Sequence, residues 1–173
     1  LHSFPTRRSS DLEIFSLTSF TVPEGATELS SRCFWNDTLL ASVTLPSSLE
    51  QINYKAFYNC KNLQSISLPD GLTSIGNQAF YGCTGLQSLS FPNGLTTLGN
   101  AAFYECSNLL SVDIPGSVSV IDEWCFSKCS NLASVTLHEG TETIGYCAFR
   151  ECTSLTTINY PSTLKVIGDF SFQ

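Results

Sequence analysis

The sequence predicts a repeat protein, a right-handed solenoid whose strands form one parallel β-sheet with short helical turns on the opposite side. Two observations carry this. Phenylalanine recurs every 23 residues, at Phe34, Phe57, Phe80, Phe103, Phe126, Phe149 and Phe172. Cysteine (Cys60, Cys83, Cys106, Cys129, Cys152) and proline (Pro23, Pro46, Pro69, Pro92, Pro115, Pro161) keep the same period, with His138 in the one skipped proline slot. No insertion interrupts the series, so residues 13–173 read as about seven copies.

Residues 1–12, LHSFPTRRSSDL, share nothing with this pattern. They resemble a translated sequencing adapter and read as a non-native scar. Within each copy, the segment Leu63 to Pro69 places apolar residues at its first, fourth and sixth positions, the last two alternating with serine as in a half-buried strand. Proline ends the strand because it lacks the N–H a ladder needs. Asp70-Gly71 or Asn93-Gly94 then supplies a tight turn. Ile75, Ala79, Phe80 and Cys83 follow at spacings that suit one helical turn with an apolar inner face. Stacking brings strands starting at Leu17, Leu40, Leu63, Leu86, Leu109, Leu132 and Leu155 into one sheet at about 4.8 Å spacing. Right-handedness follows from the rule for crossovers between parallel strands.

The repeat I-G-x-x-A-F-x-x-C-x-x-L-x-S-I-x-L-P resembles the BspA-like subclass of leucine-rich repeats over residues 13–173. The resemblance implies a surface-exposed or secreted protein of bacteria or anaerobic protists, active in adhesion to host proteins, glycans or other cells, with no cofactor. The sequence departs from commoner leucine-rich repeats, whose turn carries an asparagine ladder. That slot holds Ser48, Gly71, Gly94, Ser117, Gly140 and Thr163 here, so the carbonyls there need other partners, and the cysteine row is expected to serve.

Charge narrows the partner classes. The whole chain has 8 basic and 15 acidic residues and a formal charge of −7. Setting aside Arg7, Arg8 and Asp11 leaves 6 basic and 14 acidic residues, a charge of −8. No basic surface exists to neutralise a phosphate backbone, so nucleic acid is not an expected partner. No apolar run reaches the length of a membrane span, and direct membrane insertion is not expected.

Eight cysteines invite a disulfide framework, but five recur at one structural position. In-register neighbours have Cα atoms close enough for a disulfide, yet their parallel Cβ vectors suit S–S geometry poorly. Buried free thiols are therefore expected. No C-x-x-C pair or histidine partner supports a metal site. His138 is the only histidine outside the scar and reads as a surface turn residue. Asp113 is the sole acid in the outward strand rows, where glycoside hydrolysis needs two carboxylates. The chain is thus not read as an enzyme. Asp122, Glu123, Glu139, Glu142 and Glu151 read as solvated surface. The sequon Asn36-Asp37-Thr38 matters only in a eukaryotic producer.

Two surfaces compete as the binding face. One is the outward strand rows, with Ser65, Ser67, Ser88, Ser90, Ser111, Asp113, Ser134 and Thr136 at its centre. The other is the tyrosine stripe of Tyr58, Tyr81 and Tyr104, for which packing over the neighbouring coil is the simpler reading. Two functions follow: a non-catalytic module that binds a protein or glycan, or a passive stalk that spaces another domain. Neither end carries a polar cap, so the chain is expected to be a fragment of a longer protein that associates end to end.

Overall fold

The computed structural model describes residues 17–173, and the suspected scar at 1–12 lies outside them. Counting from Leu17, each 23 residues make one coil: coil 1 is 17–39, coil 2 is 40–62, and coil 7 begins at Leu155. The strands are β1 (Ser19–Thr21), β2 (Glu28–Leu29), β3 (Ser42–Thr44), β4 (Gln51–Ile52), β5 (Ser74–Ile75), β6 (Thr97–Leu98), β7 (Ser111–Ile114), β8 (Val120–Ile121), β9 (Ser134–Leu137), β10 (Thr143–Ile144), β11 (Thr157–Ile158) and β12 (Val166–Ile167). All pairing between them is parallel and offset by 23 residues, as in Ser19 with Ser42.

The molecule is a parallel-strand solenoid, as the period predicts, but its ladders differ from the expected single sheet. On the front, the predicted strand row breaks into β1–β3 and β7–β9–β11, with only a Ser65–Ser88 bridge in coils 3 and 4. The uninterrupted ladder runs along a second side, β2-β4-β5-β6-β8-β10-β12. These two-residue strands begin where the spacing predicts a helical turn. One outward residue followed by one inward Leu or Ile is enough to pair with each neighbouring coil.

The predicted helical turns are absent among the described residues, and the third side is a chain of tight turns. In coil 2, the N–H groups of Ala56, Tyr58 and Cys60 donate to the carbonyls of Asn53, Lys55 and Phe57, three residues back. The intervening N–H groups of Lys55, Phe57 and Asn59 donate along the axis to Asn77, Ala79 and Tyr81 of the next coil. A left-handed residue at two positions per coil makes this alternation, for example Lys55 at φ 56° and Asn59 at φ 57°. Such a residue is the third of a type II turn. It aims every second N–H at the neighbouring coil, which an α-helix cannot do.

The core is one continuous column. Phe57, Phe80, Phe103 and Phe126 are fully buried, and the rings from Phe34 to Phe172 stack face to face at 5.0–5.6 Å, with interplanar angles of 3–13°. Each stacked pair contributes about 0.5–1.5 kcal/mol beyond the area it buries. Phe172, in the last coil, is 41% exposed.

Backbone carbonyls facing the core are satisfied by side chains one coil on. The thiols of Cys60, Cys83, Cys106, Cys129 and Cys152 donate to the carbonyls of Phe34, Phe57, Phe80, Phe103 and Phe126 at 3.0–3.2 Å. This corrects the expected role of the cysteine row. The corner without an asparagine ladder is served instead by hydroxyls: Ser48 donates to the Ala26 carbonyl, Ser117 to Asn93 and Thr163 to Thr141, each at 2.9 Å.

Candidate functional site

The front face brings the predicted strand rows together. Ser65, Ser67, Ser88, Ser90, Ser111, Asp113 and Thr136 are exposed and Ser134 is half-buried, while the alternate residues Ile66, Val112 and Val135 point into the core. Where the ladder is broken, shallow depressions open. One of about 450 Å³ runs along Ser67, Asp70, Ser90, Asn93 and Asp113, and another of about 370 Å³ continues past Asp113 to Ser117, His138 and Glu139. Phe91 lies in coil 4, one coil before Ile114 of β7. It is the bulkiest buried member of its row and packs edge-on against Phe103 at 5.6 Å.

Asp113 and His138 form a pair that the sequence reading missed. Imidazole Nε2 lies 2.6 Å from the Asp113 carboxylate, and both side chains are more than half exposed. The signal was present in the numbering. The two are 25 residues apart, one coil plus two residues, which places them diagonally on the same strand face. Among the described residues the imidazole's hydrogen-bond partner is the Asp113 carboxylate.

The turn beside this pair is braced by contacts that only small residues permit. A Cβ on Gly116 would lie 1.8 Å from the Glu139 carbonyl, and Gly140 holds φ 113° against Gly116. Glu139 is exposed, as expected, and also brackets two coils. Its carboxylate accepts from the Ser162 N–H at 2.8 Å, the Ser162 hydroxyl at 2.9 Å and the Thr163 N–H at 3.2 Å. Those bonds, the Ser162 N–H foremost, hold its pKa below the ordinary carboxylate value. Glu142 likewise pairs with Lys165 of the next coil at 2.8 Å.

The tyrosine stripe lies on the turn side. Tyr58, Tyr81 and Tyr104 are half-buried and stack face to face, with centroids 4.7 and 4.6 Å apart. Lys55 lies over Tyr58 at one end of this stack and Lys128 over Tyr104 at the other, so the ring faces are occupied. What the stripe offers a partner is ring edges and hydroxyls. Aromatic contacts continue past it through Trp124, Tyr146 and Phe170, at 6.3, 5.4 and 5.8 Å. The sequence reading missed this extension because the rings change register between coils.

All eight cysteines are free thiols, and seven are buried. Burial raises the pKa of the row, to about 12 for Cys83 and Cys152 and well above the ordinary thiol value for Cys106 and Cys129. Among the described residues no group of three or more histidine, cysteine or acidic side chains could hold a metal, and no helix is long and apolar enough to cross a membrane. Asn36 of the sequon is half-buried, and its side-chain oxygen accepts from Asn59 at 3.0 Å.

A solenoid of 23-residue coils with a phenylalanine column and a thiol ladder is a leucine-rich repeat scaffold. The chain belongs to the BspA type leucine-rich repeat family, whose six-copy pattern matches residues 10–130 and 50–173. Among solved structures it is similar to a leucine-rich repeat protein of Bacteroides ovatus, at 34% identity over 90% of this chain with a TM-score of 0.84. It is also similar to the leucine-rich repeat protein of T. pallidum, at 32% identity over 87% of the chain with a TM-score of 0.83. A leucine-rich cell surface protein of Faecalibacterium prausnitzii is 31% identical over 91% of the chain, with a TM-score of 0.82. The chain spans 40%, 73% and 45% of the length of these three proteins. No curated protein matches it.

Proposed function

We propose that this chain is a non-catalytic binding module of a cell-surface or secreted protein, and that its front face contacts a protein or glycan in adhesion. One observation carries the choice of face. The front holds exposed hydroxyls and the Asp113–His138 pair around open polar depressions, whereas the tyrosine stack has its ring faces covered by each other and by lysines. Family membership and the cell-surface relative support the adhesive setting.

A second reading, a passive stalk, is favoured by the uniformity of the outward rows, where Ser65, Ser88, Ser111 and Ser134 repeat one residue type. A tuned interface varies more from coil to coil. The two readings separate in a binding assay against host matrix proteins. Changing Ser88, Ser90, Ser111 and Asp113 together to alanine is expected to abolish binding, and changing Tyr58, Tyr81 and Tyr104 to leave it in place. Binding unaltered in both folded variants would eliminate the site assignment. Absence of any ligand for the parent chain would favour the stalk.

A further inference from the structure

The depressions of the front face join into one trough along the solenoid axis. A depression of about 530 Å³ lies between coils 2 and 3, the one of about 450 Å³ runs from coil 3 to coil 5, and the one of about 370 Å³ from coil 4 to coil 6. They share walls: Ser67 and Asp70 line the first and second, and Ser90, Asn93 and Asp113 the second and third. One wall is the strand row Thr44, Ser67, Ser90 and Asp113, at a 23-residue step. The other is the turn row Ser47, Asp70 and Asn93, at the same step. The side chains of both rows are exposed.

Apolar side chains complete the lining between these rows. Leu45 and Leu68 are half-buried and Phe91 is 8% exposed, whereas Ile114 and Leu137, at the same position in coils 5 and 6, are closed off where β7 and β9 pair. The break in the front ladder is thus what opens an apolar strip between two polar walls. Charge is one-sided. Asp70, Asp113 and Glu139 line the trough, no lysine or arginine does, and the imidazole of His138 is held on Asp113 at 2.6 Å. An anionic polymer is repelled there.

We propose that this trough binds a neutral, straight β-1,4-linked glycan lying along the axis, one pyranose ring to each coil; the inference rests on the front-face reading and names its ligand class. Parallel coils repeat at about 4.8 Å, and an extended glycan of this linkage advances by nearly that step per sugar. A pyranose carries C–H bonds on its faces and hydroxyls on its rim. Its face suits the strip of Leu68 and Phe91, while its rim hydroxyls meet Ser67, Ser90 and Asp113 on one wall and Asp70 and Asn93 on the other. The sameness of the outward rows, which an irregular protein surface does not require, is what a ligand of one repeating unit needs. An extended peptide fits less well. Laid along the axis it crosses the strands and adds to no ladder, and its residue step of about 3.3 Å runs out of register with the coils.

Calorimetric titration of the chain with cellohexaose, chitohexaose, maltohexaose, hexagalacturonate and hexalysine tests it. At least one of the two β-1,4-linked neutral hexamers is expected to bind, with an affinity that salt does not change. Shorter oligomers of that glycan are expected to bind more weakly, the affinity rising up to about five sugars, one for each of coils 2–6. Coiled maltohexaose and anionic hexagalacturonate are expected not to bind. Asp70→Ala with Asn93→Ala is expected to weaken the hexamer about tenfold, and Ser90→Tyr, which fills the middle of the trough, at least as much. Thr97→Ala, on β6 of the second side, is expected to bind as the parent does. The proposal is overturned if neither β-1,4-linked hexamer binds, if maltohexaose, hexagalacturonate or hexalysine binds as tightly, or if the folded trough variants bind as the parent does. Matrix-protein binding that is lost in the Ser88, Ser90, Ser111 and Asp113 variant, with no glycan bound by the parent chain, would uphold the front face as a binding surface and overturn the glycan.

Discussion

The residue that most distinguishes this solenoid is the buried cysteine. Its thiol closes a bond to the phenylalanine carbonyl one coil back, a carbonyl that also accepts an N–H in its own turn, as Phe57 does from Cys60. Serine could donate the same bond, but cysteine buries a larger and more polarisable atom beside the ring column. Ionisation is blocked by burial, and this makes stability depend on pH. In the unfolded chain these thiols titrate near pH 8.5, whereas Cys83 and Cys152 in the fold titrate at about 12. Their contribution is complete below about pH 8.5 and is lost as pH rises toward 12. The native state there holds more protons, so stability is expected to fall by about 1.4 kcal/mol per pH unit for each thiol. Urea unfolding between pH 8 and 10 checks this, and Cys83→Ser should flatten the slope by one thiol. Rapid native labelling of Cys83, Cys106 and Cys129 would contradict it.

At the scale of the element, the turn side carries a conformational cost that the stacking of coils repays. Among the described residues twelve non-glycine residues hold a positive φ, Gln78, Ala101 and Trp124 among them. The left-handed conformation costs an ordinary residue about 1–2 kcal/mol, and the return is one axial hydrogen bond per alternate residue. Gln78, at φ 56°, and the adjoining fully buried Ala79 therefore predict opposite responses to glycine. Gln78→Gly relieves the strained φ and is expected to stabilise by about 0.5 kcal/mol once the added chain entropy is subtracted. Ala79→Gly removes a core methyl and is expected to destabilise by about 1 kcal/mol or more. Thermal unfolding of the two variants checks the sign. A helical turn at this place would make both destabilising.

For the whole molecule, the decisive feature is that each coil is completed by the next. Ile167 and Phe172 of coil 7 continue interior rows, yet are 52% and 41% exposed, and β12 presents an unpaired edge. Such a face accepts another coil of the same pattern, so we propose end-to-end association of this 173-residue chain. A designed polar coil placed after Gln173 is expected to raise the unfolding midpoint and to suppress concentration-dependent light scattering. A chain that stays monomeric, and is as stable as its capped version, would show that the exposed rows need no cover.

The sequence by itself determined the coil length, the inward rows and the family, because a strict 23-residue period leaves one way to stack the copies. It also placed Ser65 to Thr136 on a common outward face, since side chains alternate along a strand. The tertiary structure alone decided the rest. Lys55, Gln78 and Trp124 carry no local signal for a left-handed turn; the axial hydrogen bonds impose it. The long ladder lies along β2 to β12, because two residues per coil suffice when every neighbour is in register. The Asp113–His138 pair and the convergence of Arg32 and Lys55 on Tyr54 arise between coils. Contacts of that kind depend on how side chains of successive copies meet, and a repeat read one copy at a time does not contain them.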